Sequence, residues 1–375
     1  MKRYGNIYPK IYDMDNLREA HRNARKDKLF YGEVVMVDSN PEYYLSEIHR
    51  MLKNKTYQVK PEDYTVSHIN DKGKDRELWK LPYYPHRIIQ WAIMLQIEGM
   101  FDQVFTDFTC ASLPNRGISR AYKLVNRYMK DRTRTEYCLK LDIHHFYPSI
   151  DHGVLKGMLR KKFKDPDLLE LLDLIIDSHP PKGIPIGSYL SQYLANFYLA
   201  YFDHWLKEEM KIRYVVRYMD DVVIFHWSKR VLHWLVDQMK VYLDKLKLSL
   251  KGNWQVFPTA VRGVDFVGYR YFRGYILLRK KTCKRLKKAL FAIRRKLDAG
   301  NMMNFREWST VNSYAGWLIW CDSWRLFEAY VEPVIPGALR YYGEVVKRGA
   351  GPKARVNAFK RYQTKLYAKK GRAAA

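Results

Sequence analysis

Two aspartates, Asp220 and Asp221, sit side by side between two β-rich runs, Arg213–Tyr218 and Val222–Phe225. Adjacent carboxylates at a tight turn raise each other's pKa, so the pair is costly unless a cation lies beside it. An Asp-Asp pair is also common in ordinary turns and by itself decides nothing. Asp142 changes the weight. It ends another short apolar run, Tyr137–Ile143, and is flanked by Leu141, Ile143 and Phe146, poor surroundings for a merely solvated acid. If the two strands are neighbours, Asp142, Asp220 and Asp221 meet at one sheet edge. Such a cluster could hold two Mg²⁺ ions, or Mn²⁺ in their place, about 3.5–4 Å apart, as nucleotidyl transfer requires. One ion would activate an attacking 3′-hydroxyl, and the other would neutralise a triphosphate and its departing pyrophosphate.

The elements that must position these acids follow from the patterning. The run 137–143 reads as a buried strand stopped by Pro148, with Ser149 or Asp151 capping a helix to about Phe163. The runs around Met219-Asp220-Asp221 read as a hairpin with acids at its tip. Residues 187–210 carry Leu190, Leu194, Phe197 and Tyr201 at the spacing of one long helix packed on one face. Upstream, 14–28 reads as a basic amphipathic helix capped by Asp15 or Asn16, and 41–54 and 84–100 as further helices. Tyr57–Trp79 reads as strands about the turn Asn70-Asp71-Lys72-Gly73, and 231–247 as helix.

Lys and Arg number 67 against 39 Asp and Glu, a formal net charge of +28. Self-repulsion of that size calls for a polyanion, nucleic acid or an anionic membrane. Thirty Tyr and ten Trp among those cations suit base stacking, which disfavours a small-metabolite enzyme. The basic residues concentrate late. Ten lie between Arg279 and Lys296 and ten more in 346–375, with no acid in either stretch. The first has helical periodicity, and Arg279, Lys280, Lys281, Lys284, Arg285, Lys287 and Lys288 are its expected nucleic-acid contacts. Cys110, Cys138, Cys283 and Cys321 have no short pairing, so buried thiols in a reducing compartment are expected rather than zinc or a disulfide scaffold. No apolar run approaches the roughly 18–20 residues of a membrane span, and the start lacks a signal peptide's apolar stretch. A soluble, cytoplasmic protein with no membrane partner is expected.

Several segments in order carry a resemblance. Lys140-Leu-Asp142-Ile-His-His-Phe-Tyr147-Pro-Ser-Ile-Asp-His152 resembles the first catalytic motif of prokaryotic reverse transcriptases, and Tyr218-Met-Asp220-Asp221 looks like their second. Between them, Gly183-Ile-Pro-Ile186-Gly187-Ser-Tyr-Leu-Ser191-Gln192 sits where that family has its nucleotide-pocket motif. Arg76–Pro82, Arg87-Ile-Ile-Gln90 and Asn115-Arg116-Gly117 fit the fingers, and Leu248–Trp254 and Val264–Tyr269 the last palm motifs. The likeness covers about residues 15–330. An aliphatic Ile186 before Gly187, with Ser191-Gln192 after, is most similar to reverse transcriptases of diversity-generating retroelements. Those enzymes copy a template RNA into cDNA with errors at adenines. The expected absence of any maturase, DNA-binding or endonuclease module after the thumb agrees with that subgroup. Defence-associated (anti-phage) reverse transcriptases share the palm and remain the alternative. A catalytically inert RNA-binding scaffold is the third reading, disfavoured because binding needs no three clustered acids.

The resemblance implies an α+β, right-hand polymerase fold. Its divisions would be an N-terminal extension and fingers (1–136), a palm on a small antiparallel sheet (137–275), a helical thumb (276–345) and a basic tail (346–375). It implies two Mg²⁺ ions on Asp142, Asp220 and Asp221, with Lys251 placed to protonate pyrophosphate. Arg76, Lys80 and Arg116 would hold the triphosphate. Tyr147 would be a steric gate against the 2′-hydroxyl, and Ile186, Gly187, Ser191 and Gln192 would line the nucleotide pocket. Phe266, Gly268 and Tyr269 would form the primer grip. Template RNA, cDNA or primer, dNTPs and a small basic accessory protein are the implied partners. His144 and His145 are set aside as ligands because neighbours on a strand diverge and hard Mg²⁺ prefers oxygen. Asp151-His152 and Asp203-His204 are read as capping and packing.

Overall fold

The computed structural model describes residues 3–71, 74–179 and 182–346. It is α+β, mostly helical, with three small antiparallel sheets. The chain divides into two compact units: residues 1–121 with 139–256, and residues 122–138 with 257–375. No described helix is long and apolar enough to cross a membrane. No disulfide joins the four cysteines.

The first unit opens with α1 (Met14–Ala24) and α2 (Pro41–Lys53). Asp13, two residues before the nearer of the expected caps, caps α1 by accepting from the Asp15 and Asn16 amides. Strands β1 (Thr65–Asp71) and β2 (Lys74–Lys80) pair antiparallel from Thr65↔Lys80 to Asp71↔Lys74; residues 72 and 73 of the expected turn lie outside the described residues. Helix α3 (Ile88–Asp102) is apolar nearly all round, and Ile88, Ile89, Ala92, Ile93, Met94, Ile97 and Phe101 are buried, the pattern of a helix inside a core. Next come α4 (Gly117–Lys130), which crosses the division between units, β3 (Tyr137–Asp142), α5 (His152–Lys162) and α6 (Pro166–Asp177). Asp151 caps α5 through the Val154 amide.

Helix α7 (Tyr189–Tyr198) packs on α3, with Phe197 against Phe101 at 4.9 Å between ring centroids and Tyr189 stacked on Trp91 at 4.4 Å. The single long helix expected over 187–210 is interrupted. Leu199 leaves helical geometry at φ −99°, ψ 0°, and Ala200–His204 resumes as a separate short helix. Strands β4 (Tyr214–Tyr218) and β5 (Asp221–His226) form the expected hairpin, followed by α8 (Lys229–Lys245) and β6 (Gln255–Pro258). The sheet order is β4-β5-β3-β6, so the strand ending in Asp142 lies beside the strand beginning at Asp221.

The second unit contains the sheet β7 (Val264–Phe266), β8 (Tyr269–Tyr271) and β9 (Ile276–Leu278), then α9 (Lys280–Asp298) and α10 (Phe305–Leu318). Residues 347–375 of the expected tail lie outside the described residues.

Candidate active site

In the β4–β5 hairpin Tyr218 pairs with Asp221, so Met219 and Asp220 alone make the turn. A two-residue turn with a positive φ favours glycine, yet Met219 stands there at φ +56°. An L side chain in that region costs about 1–2 kcal/mol, so neighbouring groups must hold the turn. Arg217, fully buried, donates from Nη1 to the Met219 carbonyl at 3.0 Å and to Asn196 Oδ1 at 3.1 Å. Its Nε and Nη2 donate to Asp203 at 2.8 and 2.6 Å, and Thr109 donates to the same carboxylate at 2.7 Å. Asp203 is fully buried as well. A buried ion pair is tolerated when its remaining lone pairs and protons are used in this way. Asp203 is therefore the counter-ion of this arginine, more than the packing residue its sequence neighbourhood suggests.

The turn docks on β3. The Ile143 amide donates to the Asp220 carbonyl at 3.2 Å, the His144 amide to Ser249 at 2.8 Å and the Lys251 amide to the Asp142 carbonyl at 2.9 Å. These bonds bring Asp142, Asp220 and Lys251 together. Asp142 Oδ1 is cut off from solvent and faces Lys251 Nζ at 2.5 Å. Burial, then the charge of Asp142, pushes the Asp220 carboxyl up to about 6 against the opposing effect of Lys251. The sequence anticipated three acids; the structure gathers two. Among the described residues no group of three or more His, Cys, Asp or Glu side chains stands close enough to hold a metal ion. Asp221, the residue after Asp220, opens β5 with its Oδ1 cut off from solvent. The Asp142–Asp220 pair nonetheless suits a hard divalent cation. It offers oxygen donors, and its mutual repulsion is what a cation relieves.

His144 and His145 do not diverge as strand neighbours would. β3 has ended, His145 has φ +41°, and the two exposed rings meet edge to face at 4.2 Å. Tyr147 is half-buried, and its hydroxyl donates to Met219 Sδ at 3.8 Å. The Ile184 amide donates to the Tyr147 carbonyl at 3.1 Å and the Gly183 amide to Ile150 at 2.8 Å. A Cβ on Gly183, at φ +89°, would lie 2.8 Å from Pro148 Cα, so only glycine allows that approach. The His152 ring adds a hydrogen bond to the Gly183 carbonyl at 2.6 Å. Ile186 is half-buried and Gly187, at φ +118°, exposed. Ser188 donates to Gln90 Oε1 at 2.6 Å and caps α7 through the Ser191 amide, which places buried Ser191 and half-buried Gln192 in its first turn.

Arg116 Nη1 donates to the carbonyls of Thr106 and Thr109 at 2.5 and 2.9 Å, bracing the 106–109 segment. Lys80 is exposed at the end of β2, and Arg76 lies opposite Ile69 with its side chain outside the described residues. The sequence reading missed Arg217. An arginine directly after two valines in a strand, Val215-Val216-Arg217, was the available signal.

Within the second unit, Phe266 pairs with Tyr269 across a turn in which Val267 and Gly268 both have positive φ, and both rings are buried. A Cβ on Gly268 would meet the Trp317 ring at 2.2 Å. The Tyr269 hydroxyl donates to the Trp317 carbonyl at 3.0 Å. On α9, Leu286, Leu290 and Ile293 are buried while Lys280, Lys281, Lys284, Arg285, Lys287 and Lys288 are exposed. Arg279 is instead drawn to Asp265 at 2.6 Å.

Residues 69–271 match the family described as reverse transcriptase (RNA-dependent DNA polymerase). The chain is 23% identical over 304 residues to the group II intron-encoded protein LtrA of Lactococcus lactis subsp. cremoris, covering 62% of this chain and 50% of that protein. It is 25% identical over 245 residues to protein YkfC of Escherichia coli K12, covering 54% and 64%. The chain thus spans between half and two thirds of the length of these relatives. Among solved structures, apo telomerase from Candida tropicalis aligns at 12% identity and a TM-score of 0.47, over 82% of this chain and 62% of that one.

Proposed function

The chain belongs to the reverse transcriptase family, and on that premise we propose that it copies an RNA template into cDNA at the Asp142–Asp220 pair. The observation carrying this reading is the contact of those two acids, one paired with Lys251 and the other with its carboxyl raised to about 6, inside the family-matched region. Asp142 and Asp220, with Asp221 in support, would hold two Mg²⁺ ions, which supply charge neutralisation at the attacking and leaving oxygens. Lys251, paired with Asp142, would donate a proton to the departing pyrophosphate. Tyr147, held by the 183–184 loop and by Met219, sets the floor beneath the sugar and favours dNTPs. Phe266, Gly268 and Tyr269 form the primer grip, and the exposed cations of α9 bind the nucleic-acid backbone, as thumb residues do.

The subtype follows from Ile186-Gly187 and Ser191-Gln192. An aliphatic side chain ahead of Gly187 offers the incoming nucleotide no hydrogen bond. We therefore favour an error-prone enzyme of a diversity-generating retroelement, working in the cytoplasm with a small basic accessory protein, over an anti-phage enzyme.

The test is Asp220→Asn combined with Asp221→Asn in primer extension and in RNA-binding titrations. Extension should vanish while RNA affinity stays within about twofold, because the basic surface of α9 is untouched. Extension near the wild-type rate would overturn the assignment.

A further inference from the structure

The hairpin tip that carries Asp220 is held by a residue that touches no substrate. We infer that Arg217 is a positioning residue for the polymerase reaction, an inference that rests on the function proposed above. Four observations converge on it. Arg217 is fully buried, near the end of a strand whose other buried side chains, Val215 and Val216, are apolar. Its backbone is clamped from the side, since its amide donates to the Phe108 carbonyl at 3.0 Å and its carbonyl accepts from the Cys110 amide at 2.9 Å. Its guanidinium is fixed by Asp203 and Asn196, both fully buried. One Nη1 proton is left for the carbonyl of Met219, the residue in the turn whose backbone is strained.

Each connection from that carbonyl leads to the site. Met219 precedes Asp220, whose own carbonyl accepts from the Ile143 amide beside Asp142. The Met219 side chain meets the Tyr147 hydroxyl. One buried cation thus fixes both the carboxyl partner of Asp142 and a contact of the sugar gate. Arginine is suited to this because its rigid fork serves several acceptors at once, whereas a lysine ammonium is a single point on a flexible stem.

The test uses the 375-residue chain with Arg217→Lys, with Met219→Gly and with both together. Lysine keeps a charge for Asp203 but cannot also span Asn196 and the Met219 carbonyl. Glycine adopts positive φ without strain, so it should make the anchor less necessary. A misplaced carboxylate costs roughly 10- to 100-fold in rate. Arg217→Lys should therefore lower kcat by about that factor while the KM for dNTP stays within roughly twofold. Adding Met219→Gly should recover most of the loss, judged against Met219→Gly alone, since glycine also removes the Met219 contact with the Tyr147 hydroxyl. Hydrogen exchange supplies a readout independent of activity. The Ile143 amide should exchange at least roughly tenfold faster in Arg217→Lys, while amides of the paired residues Val216 and Val223 keep wild-type protection. Unchanged Ile143 exchange with unchanged kcat overturns the inference. So does equal loss of protection along the whole hairpin, which marks general destabilisation, or a failure of glycine to rescue. Should the wild-type chain extend no primer, the proposed function falls, and the exchange measurement still decides whether Arg217 holds the turn.

Discussion

Replacing Asp220 by asparagine should make the protein more stable at neutral pH while removing its catalysis. The carboxyl is raised from 3.8 to about 6, chiefly by burial and secondarily by Asp142. The native state therefore binds that proton more tightly than the unfolded chain does. The stability this confers is complete below pH 3.8 and is lost as pH rises through 6. About two pKa units at about 1.4 kcal/mol each give a cost of roughly 2–3 kcal/mol for the ionised group, which asparagine does not carry. In the absence of divalent ions, Asp220→Asn and wild type should melt together near pH 4. By pH 8 the variant should lead by roughly 4–12 °C, on the scale of 2–4 °C per kcal/mol for a unit of 150–250 residues. Tryptophan fluorescence during heating, at unit pH steps between 4 and 8, measures the difference. A gap of the same size at both ends of the range would refute the reasoning, because only a titrating carboxyl can make it open with pH.

Tyr147→Val should raise the use of rNTPs relative to dNTPs roughly tenfold or more in single-nucleotide extension; an unchanged ratio removes the gate role. Neutralising Lys280, Lys281, Lys284 and Lys288 together should weaken binding to unrelated RNAs about equally. It should also flatten the log–log salt slope by roughly 0.7 for each single-strand phosphate left without its cation, and an unaltered slope would make α9 simple solvated surface. Ile186→Gln should lower errors opposite template adenine by roughly two- to twelvefold, the worth of one hydrogen bond of about 0.5–1.5 kcal/mol. Uniformly low error opposite all four bases in the wild-type cDNA would instead promote the anti-phage reading.

The site was legible where local rules act alone. The hairpin could be read because β-branched runs stop at two acids, and its paired strands, Tyr214–Tyr218 and Asp221–His226, fall within a residue of the expected limits. Asp142 could be read because an acid ends an apolar run, and the sheet order confirms that its strand neighbours β5. Periodicity failed at Leu199, where apolar residues continue on both sides of a one-residue break and leave no mark in the pattern. Strand alternation failed at His144–His145, because β3 ends at Asp142 and a left-handed residue follows. The roles of Arg217 and Asp203 were hidden for another reason. Fourteen residues separate two charges that only the folded core brings together, and short-range spacing holds no trace of that pairing.

On the proposed role of Tyr147 as sugar gate, the loop at Gly183 constrains how this protein could change its choice of sugar. The wall behind Tyr147 is main chain, and glycine is required there twice over, by its φ of +89° and by the 2.8 Å approach to Pro148. Random mutation therefore cannot remodel that wall in small steps, since every side chain at 183 displaces the gate rather than trimming it. The ring itself can vary, being half-buried, with the residue anchored through its own carbonyl and a hydroxyl contact to Met219. A lineage or a directed-evolution campaign seeking ribonucleotide use should find its first gains at position 147 and almost none at 183.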